Sequence, residues 1–99
     1  MINAKAELIE HVGDKKVEFV SVAFKKGYGE DPVRIKGSLS DVLPFLDFDY
    51  YNGYGGQKLF GYVWYEDGSW SDRGEYDGRE WWRHQTRPNR DTEIKMYNA

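Results

Sequence analysis

The sequence predicts a single α+β domain, in which an antiparallel β-sheet combines an N-terminal hairpin with a C-terminal three-stranded meander and one short helix packs on one face. The chain has 99 residues, the usual size of one domain. Two Asp-Gly pairs, Asp67-Gly68 and Asp77-Gly78, lie between aromatic-rich segments, which is the pattern of two successive hairpins. The segment SLSDVLPFL at 38–46 has apolar residues at helical spacing after a serine, which indicates the helix.

The N-terminal third is predicted to contain the first hairpin. Val17–Phe24 is rich in β-branched and aromatic residues, which favours a strand. Ala4–Val12 has the Ala, Glu and Leu content of a helix, but the short turn at 13–15 before a strand favours a second strand there. Residues 25–37 include three glycines and a proline, so we expect a loop with a short extended piece at 33–35.

Two serines compete for the start of the helix. Ser38 and Asp41 have the spacing of a capping box, and Ser40 is the other possible N-cap. Ser40 fits better with Pro44, because the proline then lies in the first turns, where a missing N–H donor costs less. In this helix the apolar side chains at 39, 42, 43 and 46 are expected to face the core.

The C-terminal half is predicted to form the meander. Its strands are Leu59–Tyr65, Trp70–Tyr76 and residues 80–85, joined by the two Asp-Gly turns. A glycine-rich connection at 52–56 precedes them. We expect the domain to span residues 1–86, and residues 87–99 to form a polar tail or a late edge strand at 93–97.

Composition argues against several classes of function. The absence of cysteine excludes disulfides, thiol catalysis and cysteine-based zinc sites. A net charge of −3 argues against general binding to nucleic-acid backbones, which depends on many Lys and Arg contacts. No apolar run approaches the length of a membrane span, and the first residues lack the apolar stretch of a signal peptide. We therefore expect a cytoplasmic protein that does not associate with membranes.

Acidic residues suggest a small hydrolase as one alternative function. Five carboxylates fall in the meander, and glycoside hydrolysis would need two of them close together: Asp67, Asp72, Glu75, Asp77 and Glu80. Hairpin turns favour aspartate at two of these positions, so structural roles are the simpler interpretation. The segment DFDYYNG at 47–53 departs from calcium-loop spacing, and His11 and His84 have no ligand spacing. We predict a non-enzymatic protein that needs no metal or cofactor.

The aromatic residues, four Trp, eight Tyr and five Phe, predict a recognition surface. Strand alternation allows only half of the rings in the meander to face one core, and adjacent Trp81 and Trp82 must point to opposite faces. Trp, Tyr and Arg carry much of the energy at protein interfaces, so the candidate partner-binding residues are Trp70, Tyr76, Arg79, Trp81, Trp82 and Arg83. Two alternatives stay open. The rings stack a sugar or nucleotide, or the helix or the tail covers them.

The segment YYNGYGGQKLFGYVWYEDGSWSDRGEYDGREWW at 50–82 resembles a group of small proteins encoded by bacteriophages and prophages. The shared run is Gly-Tyr-Gly-Gly-Gln, Leu-Phe-Gly, Trp-Tyr, Asp-Gly, Trp, Arg-Gly-Glu-Tyr-Asp-Gly and a closing Glu-Trp-Trp, and the match covers about a third of the chain. Small phage proteins of this kind often bind and block host machinery, including CRISPR and other defence complexes. The resemblance therefore implies an accessory protein that binds a host protein, for example as an anti-defence inhibitor.

Overall fold

The computed structural model describes residues 1–25, 30–53 and 55–88 and has an α+β architecture, as predicted. Within these ranges, short helical segments alternate with antiparallel strands. In chain order the elements are β1 (Ile2–Asn3), α1 (Ala4–Val12), β2 (Val17–Phe24), β3 (Val33–Gly37), α2 (Leu39–Val42), a 3-10 helix (Leu43–Leu46), β4 (Asp49–Tyr50), β5 (Leu59–Tyr65), β6 (Trp70–Tyr76) and β7 (Arg79–Gln85).

The larger sheet has five antiparallel strands in the order β3-β2-β5-β6-β7. Its β5, β6 and β7 form the predicted meander, and the predicted strand Val17–Phe24 is β2, which pairs with β5. The short β1 and β4 form a separate antiparallel ladder that holds the start of α1 beside the segment before β5. The edge strand predicted at 93–97 lies outside the described residues.

The two hairpin turns have the backbone conformations that Asp-Gly pairs favour. Asp77 and Gly78 have φ values of 52° and 84°, so both residues adopt the left-handed conformation that a two-residue hairpin loop requires. The loop at 66–68 is longer by one residue, and Gly68 is left-handed with φ 87°. The Tyr65 N–H donates to the Ser69 carbonyl across this longer loop. Local sequence thus fixes both connections of the meander.

The prediction of a strand at Ala4–Val12 was wrong, because this segment forms α1. The Asn3 side chain caps the helix by accepting a hydrogen bond from the Ala6 N–H, and Gly13 ends it with φ 59°. Ala4, Leu8 and Val12 recur at a spacing of four and are buried, which is the burial pattern of a helix. The N-terminal hairpin is instead β2 with β3, and the extended piece expected at 33–35 is the second strand of that hairpin.

The preference for Ser40 as the second helix's N-cap was also wrong. Ser38 caps α2, and its hydroxyl accepts from the Asp41 N–H while the Asp41 carboxylate accepts from the Ser38 N–H. Pro44 lies in the first turn of the 3-10 helix that continues α2, where its missing N–H costs little. The capping box therefore determines the start, and the proline coincides with the change of helix type.

The hydrophobic core lies between the helices and one face of the five-stranded sheet. Its buried members come from both helices, the 3-10 helix, the connection to β5 and alternate positions of the strands: Ala4, Leu8, Val12, Val20, Val22, Phe24, Val42, Leu46, Tyr50, Leu59, Val63, Tyr65 and Trp82. Leu39 and Leu43 pack against this cluster, so the predicted apolar face of the second helix is confirmed. No helix in the described part of the chain is both long and apolar enough to cross a lipid bilayer.

Candidate partner-binding face

The opposite face of the five-stranded sheet carries a broad aromatic surface. Strand alternation places on it seven rings from β2, β5, β6 and β7, which we call the open face: Phe19, Phe60, Tyr62, Trp64, Trp70, Tyr76 and Trp81. Trp70 is half-buried and the other six rings are exposed. Both helices belong to the core side, so the alternative that the helix covers the second face is wrong, and the alternative that the tail covers it falls on residues 89–99, outside the described residues.

Rings in the centre of the open face contact one another across and along strands. Phe19 lies opposite Trp64 in the β2–β5 pair, and their ring centroids are 5.7 Å apart. Tyr62, two residues along β5, stacks on the same Trp64 ring at 5.7 Å with an interplanar angle of 29°. Such pairs stabilise a sheet and hold the rings in defined positions. These ring contacts hold the centre of the face in a defined arrangement.

Trp81 covers a glycine on the neighbouring strand. Gly74 lies directly opposite Trp81, and a β-carbon added at Gly74 would lie 2.8 Å from Cε2, 2.9 Å from Nε1 and 3.0 Å from Cζ2 of the indole. Because the fused-ring carbon is the nearest of the three atoms, the indole covers the glycine with a face and not an edge. Trp81 is nevertheless 41% exposed, so much of the ring is open to solvent.

Trp82 faces the core, so the two adjacent tryptophans point to opposite faces as predicted. Trp82 is 6% exposed, stacks with His11 of α1 at 6.2 Å, and lies 5.1 Å below the Arg73 guanidinium. This ring stabilises the contact between α1 and the sheet. Only Trp81 of the pair is therefore available to a partner, and Trp82 is removed from the candidate contact residues.

The other predicted site residues divide between the middle and one end of the open face. Trp70 lies opposite Trp64 in the middle. Arg83 donates to the carboxylate of Asp72 through Nε at 2.5 Å, which orders its guanidinium beside the rings. Tyr76 and Arg79 flank the second turn at the end of the face, where both are exposed.

Six residues of this face are missing from the predicted partner-binding set. Four are the rings Phe19, Phe60, Tyr62 and Trp64, and two are the cations Arg34 and Lys36 on the neighbouring β3. Alternation along β5 could have predicted Phe60, because residues two apart in a strand lie on the same face and Phe60 is two residues from Tyr62. The residues on β2 and β3 could not be predicted in this way, because the sequence does not show that β2 pairs with both β3 and β5. This pairing places residues distant in sequence on one surface.

A buried ionic network lies on the core side and joins α1 to the sheet. The Arg73 guanidinium donates to Glu80 at 2.7 Å and forms an ion pair with Glu7 of α1 at 3.3 Å. Tyr50 donates to Glu7 at 2.5 Å and accepts from Arg73 at 3.1 Å. Burial and the Glu7 hydrogen bond raise the pKa of the Tyr50 hydroxyl, so it stays protonated. These contacts are structural, because the side chains of Arg73 and Glu80 are almost completely buried.

Histidine and serine side chains also meet on the core side, but without the geometry of a catalytic triad. His11 Nε2 shares a hydrogen bond of 2.8 Å with the Ser71 hydroxyl, which also contacts the Tyr65 hydroxyl at 2.7 Å. Ser71 is fully buried, so a substrate cannot reach its oxygen. Burial lowers the pKa of His11, and the charges of His84, Lys15 and Arg73 lower it further. A neutral His11 suits this environment.

Four of the five carboxylates weighed for hydrolysis have structural contacts, and the fifth lies in a turn. Glu80 accepts from the backbone N–H groups of Lys58 and Leu59 as well as from the buried arginine. Asp67 accepts from Ser69, and Asp72 pairs with Arg83. Glu75 accepts from the Gly78 N–H, and Asp77 occupies the left-handed turn position. These contacts favour structural roles for the acidic cluster.

A concave surface lies on the helix side, next to the 3-10 helix. It is a groove of about 1320 Å³ whose walls include Phe24, Ile35, Phe45 and Phe48. Its acidic residues Asp47 and Asp49 both accept from the Asn3 side chain. In the described ranges, no three His, Asp or Glu side chains are grouped closely enough to hold a metal ion.

Comparison with protein-family models, with curated proteins and with solved structures returns no match.

Proposed function

We propose that this chain is a non-enzymatic binding protein that docks a host protein on the open face. In this proposal it is a phage-type accessory protein that acts in the bacterial cytoplasm, for example as an anti-defence inhibitor. The observation that carries the proposal is the row of exposed rings across four strands of one sheet face. Large exposed apolar patches on folded domains mark interaction sites or ligand-binding sites.

The composition of the open face supports a protein partner. Trp, Tyr and Arg are the residues most enriched at interface hot spots, and Trp64, Trp81 and Arg83 all lie on this face. The ring contacts around Trp64 restrict its rotamers in the free protein, which reduces the entropy lost on binding. The buried ionic network fixes α1 on the core side of the sheet, so α1 does not cover the open face.

A second candidate function is the stacking of a sugar or nucleotide, and one specific observation favours it. Trp81 lies with one face against Gly74 and is 41% exposed, which is the arrangement that a planar ligand can stack upon. This candidate needs one or two rings, whereas the protein-binding proposal uses the whole surface.

Capture from a bacterial lysate tests the leading proposal. The immobilised wild-type chain should retain one stoichiometric host protein, identified by mass spectrometry. Trp64→Ala and Trp81→Ala should each weaken that binding by about 2 kcal/mol, roughly thirty-fold, as expected of hot-spot rings. Phe45→Ala is the matched control, because Phe45 is an exposed ring outside the open face and its loss should leave capture unchanged.

Equal capture by wild type and both tryptophan variants would refute the proposal. Retention of the wild-type chain on immobilised glycans or nucleotides, lost in Trp81→Ala but kept in Trp64→Ala, would instead support the stacking function. Circular dichroism of each variant must first match wild type, so that lost binding is not confused with unfolding.

A further inference from the structure

The net charge of the open face is opposite in sign to the net charge of the whole chain. Strand positions that alternate onto this face carry four basic side chains, Arg34, Lys36, Arg79 and Arg83, and one acidic side chain, Asp72, and the exposed Glu18 lies at the irregularity of β2 next to Phe19. The face is thus net positive, whereas the chain carries a net charge of −3. The excess of acidic residues therefore lies elsewhere in the chain.

Three of these cations are not neutralised within the described part of the chain. Arg83 pairs with Asp72, whereas no ion pair is formed there by Arg34, Lys36 or Arg79. Arg34 and Lys36 lie on β3 at one edge of the sheet, and Arg79 lies on β7 at the other edge. The rings occupy the strands between them, so the surface has an aromatic centre and a cationic rim.

We infer that the partner presents an acidic protein surface, with Asp and Glu side chains around an apolar centre that packs on the rings. This inference rests on the proposed function, since it names the chemistry of the partner that the open face docks. An acidic rim would pair with the cations of β3 and β7, and the resulting field would speed and orient the encounter. The docking energy itself comes from the rings in the centre.

The arrangement favours an acidic protein over a single-stranded nucleic acid. The unneutralised cations lie at opposite edges, roughly 19 Å apart for four strand spacings, and do not form a continuous track for phosphates. The carboxylate of Asp72 lies on β6 between them, where a phosphate chain that crossed the sheet would meet it. Trp64 also has neighbours on two sides, Phe19 and Tyr62, which limits its access to a stacking base.

Binding of defined probes tests this inference by NMR. The probes are three peptides of equal length and equal Leu and Tyr content, with Glu, Lys or Gln at the remaining positions, and one oligothymidylate. At millimolar concentration the Glu peptide should shift amide resonances of β3, β5 and β7, and the Lys and Gln peptides should not. Arg34→Glu/Lys36→Glu should weaken binding of the Glu peptide by about three- to ten-fold, and added salt should weaken it further.

The matched control is Lys15→Glu/Lys16→Glu, which changes the net charge equally but at exposed positions between α1 and β2. It should leave the affinity of the Glu peptide within about two-fold of wild type. Equal binding of the Glu and Lys peptides, or the absence of Glu-peptide shifts on these strands, would overturn the inference. Tighter binding of oligothymidylate would assign the face to single-stranded nucleic acid, and open-face shifts that depend on protein concentration alone would assign it to a second copy of the chain.

The capture experiment distinguishes failure of the acidic-partner inference from failure of the proposed docking function. If Trp64→Ala loses the captured host protein while Arg34→Glu/Lys36→Glu keeps it, the open face is a docking surface and the acidic-partner inference is wrong. If neither change affects capture, the proposed function fails as well.

Discussion

Replacing Glu80 by alanine should destabilise the fold more than any surface substitution of similar size. The Glu80 side chain is completely buried and accepts three hydrogen bonds, from Arg73 at 2.7 Å, the Lys58 N–H at 2.7 Å and the Leu59 N–H at 2.9 Å. Alanine removes all three acceptor contacts. The guanidinium then stays buried with only the carboxylate of Glu7 to neutralise it.

Removal of one partner from a buried ion pair costs about 3–5 kcal/mol in a medium of low dielectric constant, and because Glu7 still pairs with Arg73 the cost of this change should lie toward the lower end of that range. The two backbone N–H groups add to this cost unless water reaches them. A domain of this size is stable by only about 5–15 kcal/mol, so Glu80→Ala should lose a large part of its free energy of unfolding. Urea denaturation followed by tryptophan fluorescence measures the loss as a shift of the midpoint.

Glu75→Ala provides the control, because Glu75 lies directly opposite Glu80 on β6, is exposed, and within the described ranges accepts only from the Gly78 N–H. Its cost should be about 1 kcal/mol or less. The reasoning is refuted if the free energy of unfolding of Glu80→Ala lies within about 1 kcal/mol of the wild-type value, or if the two variants are equally destabilised.

Three further predictions concern the turn, the adjacent tryptophans and pH. Gly78→Val should cost about 1 kcal/mol or more, because Gly78 has φ 84° and a β-branched residue resists that conformation; an unchanged urea midpoint would contradict it. Trp82→Ala should cost roughly 3–5 kcal/mol, whereas Trp81→Ala should keep the circular dichroism spectrum of wild type; loss of the fold in both would show that Trp81 also belongs to the core. Because its pKa is lowered on folding, His11 should make the fold less stable as pH falls from about 7 to 5, where the unfolded chain binds the proton first. In urea melts across that range His11→Gln should lose stability less steeply than wild type, and an unchanged slope would exclude His11 as the source.

Local sequence was sufficient for the meander. Alternating aromatic segments around Asp67-Gly68 and Asp77-Gly78 predicted β5 and β6 at the bounds that the structure shows, and β7 to within one residue. Left-handed conformations at the turn glycines are a property of a few adjacent residues, so no distant contact is needed to specify them. The opposite orientations of Trp81 and Trp82 follow in the same way from the two-residue period of a strand.

Local sequence was not sufficient at Ala4–Val12, where composition suited a helix and the following turn suggested a hairpin. The helix is stabilised by what it packs against: Leu8 and Val12 are buried in the core, and Glu7 reaches Arg73 on a strand far along the chain. Such contacts determine secondary structure through burial and cannot be read from a short window of sequence.

The sequence by itself determined that the meander forms and that its rings must divide between two faces. The tertiary structure decided which face remains open, because both helices pack on the side of Trp82 and the pairing of β2 with β3 and β5 brings Phe19, Arg34 and Lys36 onto the same face as Trp64. The physical reason is that strand periodicity is a local constraint, whereas strand order and the choice of buried face depend on the contacts of the whole chain.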